Sequence, residues 1–565
     1  MGIPWREITA VAATGSALCS VTLRRRGVGE LCSVFGIMWM AQAAAWWLWT
    51  TFVYARYLSP LRHLPQPPGA HWLLGHFWEI VSTEPGAAYQ QWTASVEHEG
   101  LLRYMFAFNR ERLLVTSPEA LGEVLVSKCY DFEKPLTVRN LLAPMLGHGV
   151  LLAEGDEHRV QRRRLNPAFH YRQVRGMYSI FWDKARESVE AMTAACNAAG
   201  GERVLLVNSM ASRTTLDIIG LAGMGVDFGA IGDEANRLAQ TYMRLMQPSW
   251  QSFAMSVLGG WLPPGVLRRL PMQRNRDLSE AAQTIRSVCR DMVRNKRMQG
   301  AGDKTPSQGD DEADIEAEPD LLSVALGSGF SDDVLVDQLM TFLAAGHDTT
   351  ASALTWVMYL LARHADKQQR LRDEVRAKLA PISAADGMGA VTCSDVEGMP
   401  YLRAVCNEAL RLFAPIRQTF RQAARDTTIQ GLPVRKGTFV VLAPCVTNLD
   451  PTLWGPDAAD FRPERWLSAC PDTPQPEKTD TRPTASGGAS SNFAFLTFLH
   501  GPRSCIAANF ARAELACLVA AWIGRFDFAL ADASMADAAN LRFRRTPSAI
   551  PLQGMPLRTR VVDGW

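Results

Sequence analysis

The residue with the most distinctive chemistry is Cys505, in the run Phe498-Leu499-His500-Gly501-Pro502-Arg503-Ser504-Cys505-Ile506-Ala507. Gly501-Pro502 forces a turn. The stretch after Ile506 (AANFARAELACLVAAWI) carries a strong helical pattern. Cys505 is therefore expected at a helix N-terminus, where the dipole and free N–H groups lower a thiol's pKa. A thiolate presented this way is a soft, electron-rich ligand, suited to haem iron and to driving cleavage of an O–O bond. Arg503 could take a haem propionate as a bidentate fork, and the small Ala507 would let the helix approach a flat macrocycle. Cys505 is one of eleven cysteines scattered from Cys19 to Cys517 without a CxxC pair. That spacing suggests neither a zinc site nor a disulfide framework. The others read as buried, reduced thiols facing a cytosolic redox environment.

A second unusual segment lies upstream. Ser331, followed by Asp332 and Asp333, is an N-cap candidate for a helix running to about His364. Its middle reads Phe342-Leu343-Ala344-Ala345-Gly346-His347-Asp348-Thr349-Thr350-Ala351. A glycine, an aspartate and two threonines are poor choices for a buried helix centre. One reading is an ordinary turn between two shorter helices. The functional reading is a loosened turn whose freed backbone groups and hydroxyls hold water or a ligand beside an apolar wall that includes Leu343 and Ala344.

Charged residues complete the set. Glu408 and Arg411 stand at i, i+3 on one helical face, able to pair. Glu234 and Arg237 repeat that spacing and read as a solvated surface pair. Downstream comes Phe461-Arg462-Pro463-Glu464-Arg465-Trp466, and upstream Gly155-Asp156-Glu157-His158-Arg159-Val160-Gln161-Arg162-Arg163 leads to Pro167-Ala168-Phe169.

The F-x-x-G-x-R-x-C pattern ending at Cys505 resembles the haem-binding loop of the cytochrome P450 superfamily, with Phe498, Gly501 and Arg503 in its fixed positions. The E-x-x-R of Glu408 and Arg411, the Pro-Glu-Arg-Trp element and the Gly155 segment follow the family's order, so the resemblance covers roughly residues 60–565. It implies haem b held by the Cys505 thiolate, with His158, Arg162 and Arg421 as further propionate contacts. His158 stands where tryptophan is commoner, which weakens that assignment, although either ring offers an N–H donor. Glu408, Arg411 and Arg465 would form a structural triad behind the haem. Asp348 and Thr349, beside Gly346, would supply protons during oxygen activation. The implied activity inserts one oxygen atom from O2 into a lipophilic substrate by hydroxylation or epoxidation, in secondary metabolism. Electrons would come from NADPH-cytochrome P450 reductase, docked on the Arg162-Arg163-Arg164 face. Alternatives are a lipid or xenobiotic hydroxylase, a haem-thiolate isomerase or dehydratase, and a non-catalytic haem-binding sensor. The isomerases tend to lack the acid–threonine pair that this chain keeps.

These residues need a scaffold. In 565 residues, 59 basic side chains against 57 acidic leave a net charge of +2, without the basic excess of a nucleic-acid-binding protein. Helical patterns dominate 170–300 and 331–380, with short β-like runs at 101–116 and 428–444, so a mainly α fold with a small β region is expected. Residues 31–55 hold no Asp, Glu, Lys or Arg. As a helix of about 37 Å they would cross a hydrocarbon core of ~30 Å, with Trp46, Trp47, Trp49 and Tyr54 as an aromatic belt. Residues 8–23 make a marginal second span. The expected organisation is a membrane anchor over 1–58 and a catalytic domain over 59–565, joined by the proline-rich 64–69. Disordered insertions are expected at 299–319 and 469–491. Fungal microsomal members are the most similar, which implies a single-pass anchor in endoplasmic reticulum lipid and a body in the cytosol.

Overall fold

The computed structural model describes residues 5–22, 28–245, 250–251, 254, 266, 269–302, 320–382, 391–468, 482–483, 486–537, 540–544 and 546–565. The chain divides into two units, one formed by Met1–Glu133 with Gln418–Val446, the other by Lys134–Arg417 with Thr447–Trp565.

In the first unit, helices Trp5–Thr22 and Val28–Leu48 lie side by side. Gly15 permits the approach, because a Cβ there would meet Met38 Cε at 2.2 Å. The expected span 31–55 is not one regular helix. From Trp49 to Leu58 the chain winds as a wider π-helix. Thr50 Oγ1 donates to the Trp46 carbonyl at 2.9 Å, one side-chain bond competing with the backbone ladder there. Thr51 and Ala55 are buried. Asn109 Nδ2 donates to the Thr51 carbonyl at 3.0 Å, and the Arg103 guanidinium to that of Ala55. The end of the apolar run therefore docks on protein. Among the described residues no helix is long and apolar enough to cross a membrane. The proline-rich joint is likewise held, with Arg103 N donating to Pro65 O at 3.0 Å and the His76 ring meeting Pro67 O at 3.1 Å.

The sheet of this unit orders its five strands as Leu101–Phe106, Arg110–Val115, Phe439–Leu442, Thr419–Ala423 and Phe132–Glu133. Only the second and third are parallel, in register Arg112 with Phe439. Thr427–Ile429 and Leu432–Val434 make a separate hairpin, turned by Gln430 and Gly431 at φ 48° and 77°. Two positive φ values in sequence suit the twist of a tight hairpin.

The second unit is mainly helical. Helix Asp332–Arg363 is buried along most of its length, packed against helices Val207–Met224 and Ala508–Arg525. The latter also packs on helix Tyr178–Asn197. A three-stranded antiparallel sheet orders Phe526–Leu530, Pro556–Val561 and Glu202–Leu206. The described residues include only part of each expected insertion. Residues 299–302 continue helix Gln273–Gly302, and 303–319 lie outside the described residues. Within 469–491, Arg482 and Pro483 pair with Ser468 and Leu467, while Gly487 lies close to the Trp466 ring. Residues 469–481 and 484–485 lie outside the described residues.

Candidate active site

All the expected site residues except Arg421 lie in the second unit. Cys505 sits three residues before helix Ala508–Arg525, after a short 3-10 turn at Gly501–Arg503. The turn needs left-handed backbone at Leu499 and Gly501, φ 55° and 76°, and glycine adopts that conformation without a Cβ penalty. Cys505 N donates to Phe498 O at 2.9 Å, closing the loop so that the cysteine side chain is exposed. The expectation of a lowered thiol pKa is corrected. Desolvation by the surrounding protein raises it, and the Ala507 N–H with the charges of Arg162 and Arg512 only offsets part of that. One backbone donor and two cations do not replace lost water. A thiolate here therefore needs a bound cation of its own, as a metal supplies.

Facing this loop is helix Gly155–Leu165. Arg162 Nη1 donates to Ser504 O at 2.6 Å, while its Nε reaches Asn166 Oδ1 at 2.9 Å. Arg162 thus braces the cysteine loop. Arg503 is buried and pairs with Glu154 Oε2 at 2.5 Å, and Glu154 Oε1 also accepts from Lys134 N at 2.9 Å. His158 is buried between them. Burial, then the charges of Arg503, Lys134 and Arg162, push its pKa down to about 4 against the opposing effect of Glu154. A neutral imidazole offers one ring N–H at neutral pH. Three cations against one carboxylate leave an excess of positive charge around His158, with Arg503 buried and Lys134 and Arg162 partly exposed, the donor set that a dianionic macrocycle would balance. The residues present fit haem. Glu154 escaped the sequence reading because nothing in its spacing distinguishes it from a surface glutamate. Arg421 belongs to the first unit, buried on strand Thr419–Ala423, where its Nη1 donates to Phe420 O at 2.9 Å.

The centre of helix Asp332–Arg363 is unbroken, so the expected loosened turn is absent. Two of its central polar side chains bond back along the helix itself. Thr349 Oγ1 donates to Ala345 O at 2.8 Å, and the His347 ring meets Leu343 O at 2.6 Å. Gly346 serves close approach, since a Cβ would stand 2.9 Å from Ile219 Cγ1. From Gln338 to Leu361 every residue of this helix is buried except Ala345, Gly346 and Thr349. At i, i+1 and i+4 these three share one face, an accessible window in a buried rod. Leu343 and Ala344, the expected pocket residues, are buried; Ala345 occupies the window instead. Asp348 is buried and accepts a hydrogen bond from the Ser548 hydroxyl.

Glu408, Arg411 and Arg465 come together. Arg411 Nε and Nη2 each lie 2.8 Å from a Glu408 oxygen, Arg465 Nε is 2.9 Å from Oε1, and Trp466 Nε1 donates to Oε2 at 2.8 Å. Arg411 Nη1 donates to the carbonyls of Asn448 and Ala458 at 2.8 and 2.6 Å. Asn448 in turn receives Leu496 N at 2.8 Å and donates to Thr497 Oγ1 at 2.8 Å. The cluster is thereby tied to the start of the cysteine loop. Glu234 takes another course, pairing with Arg213 at 3.1 Å instead of with Arg237.

The Cytochrome P450 family profile matches residues 65–549. The chain belongs to the cytochrome P450 family. Members bind haem b through a cysteine thiolate, and this chain is a haem monooxygenase. It is 42% identical to cytochrome P450 monooxygenase sphH of Aspergillus fumigatus over 95% of each chain. It is 39% identical to ALT8 of Alternaria alternata over 94% of this chain and 95% of that one. Cytochrome P450 monooxygenase FUM15 of Gibberella moniliformis is 39% identical over 91% of each. A crystal structure of a cytochrome P450, CYP102L1, superposes with a TM-score of 0.66 at 21% identity, covering 88% of this chain and 99% of that chain. That likeness speaks for the fold.

Proposed function

We propose that the protein is a reductase-driven monooxygenase that oxidises a lipophilic molecule of secondary metabolism. The observation that carries this reading is the window of Ala345, Gly346 and Thr349 in an otherwise buried helix, within the same unit as the accessible Cys505. Bound haem supplies the oxidising chemistry on O2. Cys505 would hold the haem through its thiolate, Arg503 and His158 would hold its propionates, and Arg162 braces the cysteine loop through Ser504 O. Ala345 in the window is apolar and is flanked on the helix by buried Leu343 and Ala344, which favours a terpenoid, polyketide, alkaloid or fatty acyl chain. Thr349 offers a hydroxyl at the window, and Asp348 is the buried acid beside it in sequence. Together they carry protons to the reacting oxygen. Thr349→Ala is expected to load haem normally while diverting NADPH to hydrogen peroxide. Peroxide released per NADPH measures this, and an unchanged yield would remove Thr349 from proton delivery. A spin-state screen over those four compound classes identifies the substrate.

Exposed Arg163 and Arg164 offer a basic face to an acidic flavoprotein reductase. Membrane attachment follows from the uncharged run 31–55, and Trp72 and Trp78, each 64% exposed, add apolar surface that can sit in an interface. NADPH and its reductase are cytosolic, which puts the catalytic body on the cytosolic side of the endoplasmic reticulum. Removing residues 1–58 is expected to release much of the protein from carbonate-washed membranes with haem binding kept. Retention equal to the full chain would overturn the anchor, and a body protected from protease in intact microsomes would overturn the orientation.

A further inference from the structure

Asp348, Ser352 and Trp356 stand at i, i+4 and i+8 along helix Asp332–Arg363, so they form one stripe. Each is hydrogen-bonded to one of two adjacent residues of the C-terminal loop, Asp348 to Ser548 and the other two to Ala549. The Ser548 hydroxyl donates to Asp348 Oδ2. Ser352 Oγ and Trp356 Nε1 both donate to the Ala549 carbonyl, at 2.8 and 2.5 Å. The loop is itself fixed, with Ala549 N donating to Pro415 O at 2.7 Å and Thr546 Oγ1 to Ser548 O at 2.9 Å. Ser548 is buried, so its hydroxyl meets the carboxylate away from bulk water, where such a charge-assisted bond is strong. Meanwhile the Thr349 hydroxyl is turned back to Ala345. As it stands, Asp348 is aimed at the loop and away from the window.

We infer that Ser548 is a positioning residue for Asp348. Its hydroxyl sets the direction of the carboxylate and makes that direction depend on the 546–551 loop. Ser352 and Trp356 hold the loop's backbone whether or not Ser548 is present, so removing one hydroxyl leaves the fold's other fastenings in place.

This inference rests on the role of Asp348 proposed above, and the test separates the two. Haem-loaded full-length protein with reductase, NADPH and air, without added substrate, gives the rate of NADPH oxidation. The carboxyl band of Asp348, assigned in the infrared by subtracting Asp348→Asn, is followed in haem-free and haem-loaded protein. Ser548→Ala is expected to lower the oxidation rate several-fold in the direction of Asp348→Asn and to shift the carboxyl band in both forms. Ser548→Thr, which keeps the hydroxyl, should restore rate and band. A wild-type rate in Asp348→Asn would overturn the Asp348 role itself. If Asp348→Asn is slow but Ser548→Ala matches the wild type, the inference fails. A slow Ser548→Ala with an unmoved band, or a Ser548→Thr variant that does not recover, would mean that Ser548 acts through loop structure alone and would also overturn it.

Discussion

Cys505→His is expected to abolish the red-shifted Soret band of the reduced carbon monoxide complex and, with it, monooxygenase turnover. Cys505→Ala should behave alike. The reason is electronic, because an imidazole lacks the electron-rich sulfur that drives O–O cleavage. Both variants should fold. The Cys505 side chain is exposed, so its loss empties no core volume, and the loop is closed by backbone through Cys505 N and Phe498 O at 2.9 Å. Thermal unfolding of the haem-free variants should match the parent, which isolates chemistry from stability. A thiolate-type band that survives in Cys505→His would assign the ligand to another residue.

Glu408→Ala is expected to have the opposite signature, losing the folded protein before any question of turnover arises. The Glu408 carboxylate and the Arg411 side chain are each 0% exposed, and Arg465 Nε completes the cluster at 2.9 Å. Deleting the acid removes the one carboxylate that two guanidinium groups share and takes the acceptor from the Trp466 N–H, leaving Arg411 with carbonyl acceptors only. Breaking a buried pair from one side costs about 3–5 kcal/mol, against a total stability of about 5–15 kcal/mol. The cysteine loop should loosen as well, since Arg411 and Asn448 lead to Leu496 and Thr497. Little soluble, haem-loaded protein is therefore expected on expression. Glu408→Gln keeps part of the hydrogen bonding and should fall between. Haem content per folded chain is the measurement, and full occupancy in Glu408→Ala with merely slower turnover would contradict a structural role. Glu234→Ala provides the control. Its carboxylate is 85% exposed in its pair with Arg213, and such pairs contribute about 0–1 kcal/mol.

The chemistry of the cysteine loop was legible in the sequence because it is local. Gly501-Pro502 dictates a turn, and the helical pattern following it puts Cys505 just before a helix, wherever the rest of the chain goes. The same holds for Glu408 and Arg411, which meet because both lie inside helix Pro400–Leu412, whereas Glu234 precedes the helix that starts at Arg237; it holds too for the β-like runs at 101–116 and 428–444, whose strands form there. Where the reading rested on propensity it failed. Gly346, Asp348 and Thr349 looked like a break, yet the helix runs through them, because Thr349 caps its own Ala345 carbonyl and Gly346 is needed against Ile219. Propensity is worth less than about 1 kcal/mol per residue, and burial of a long apolar helix outweighs it.

Other features only the tertiary structure decided. The Cys505 thiol is accessible, yet desolvation by the protein around it raises its pKa, which no local pattern encodes. Glu154 meets Arg503, and Ser548 meets Asp348, across 349 and 200 residues of chain (503 − 154 and 548 − 348). Ala345 shows itself as the window residue only when its neighbours' burial is known. Sequence fixes what a side chain can do and which near neighbours it faces along a helix or turn. Which distant groups it meets, how much water they exclude, and hence what charge it carries are set when the chain closes on itself.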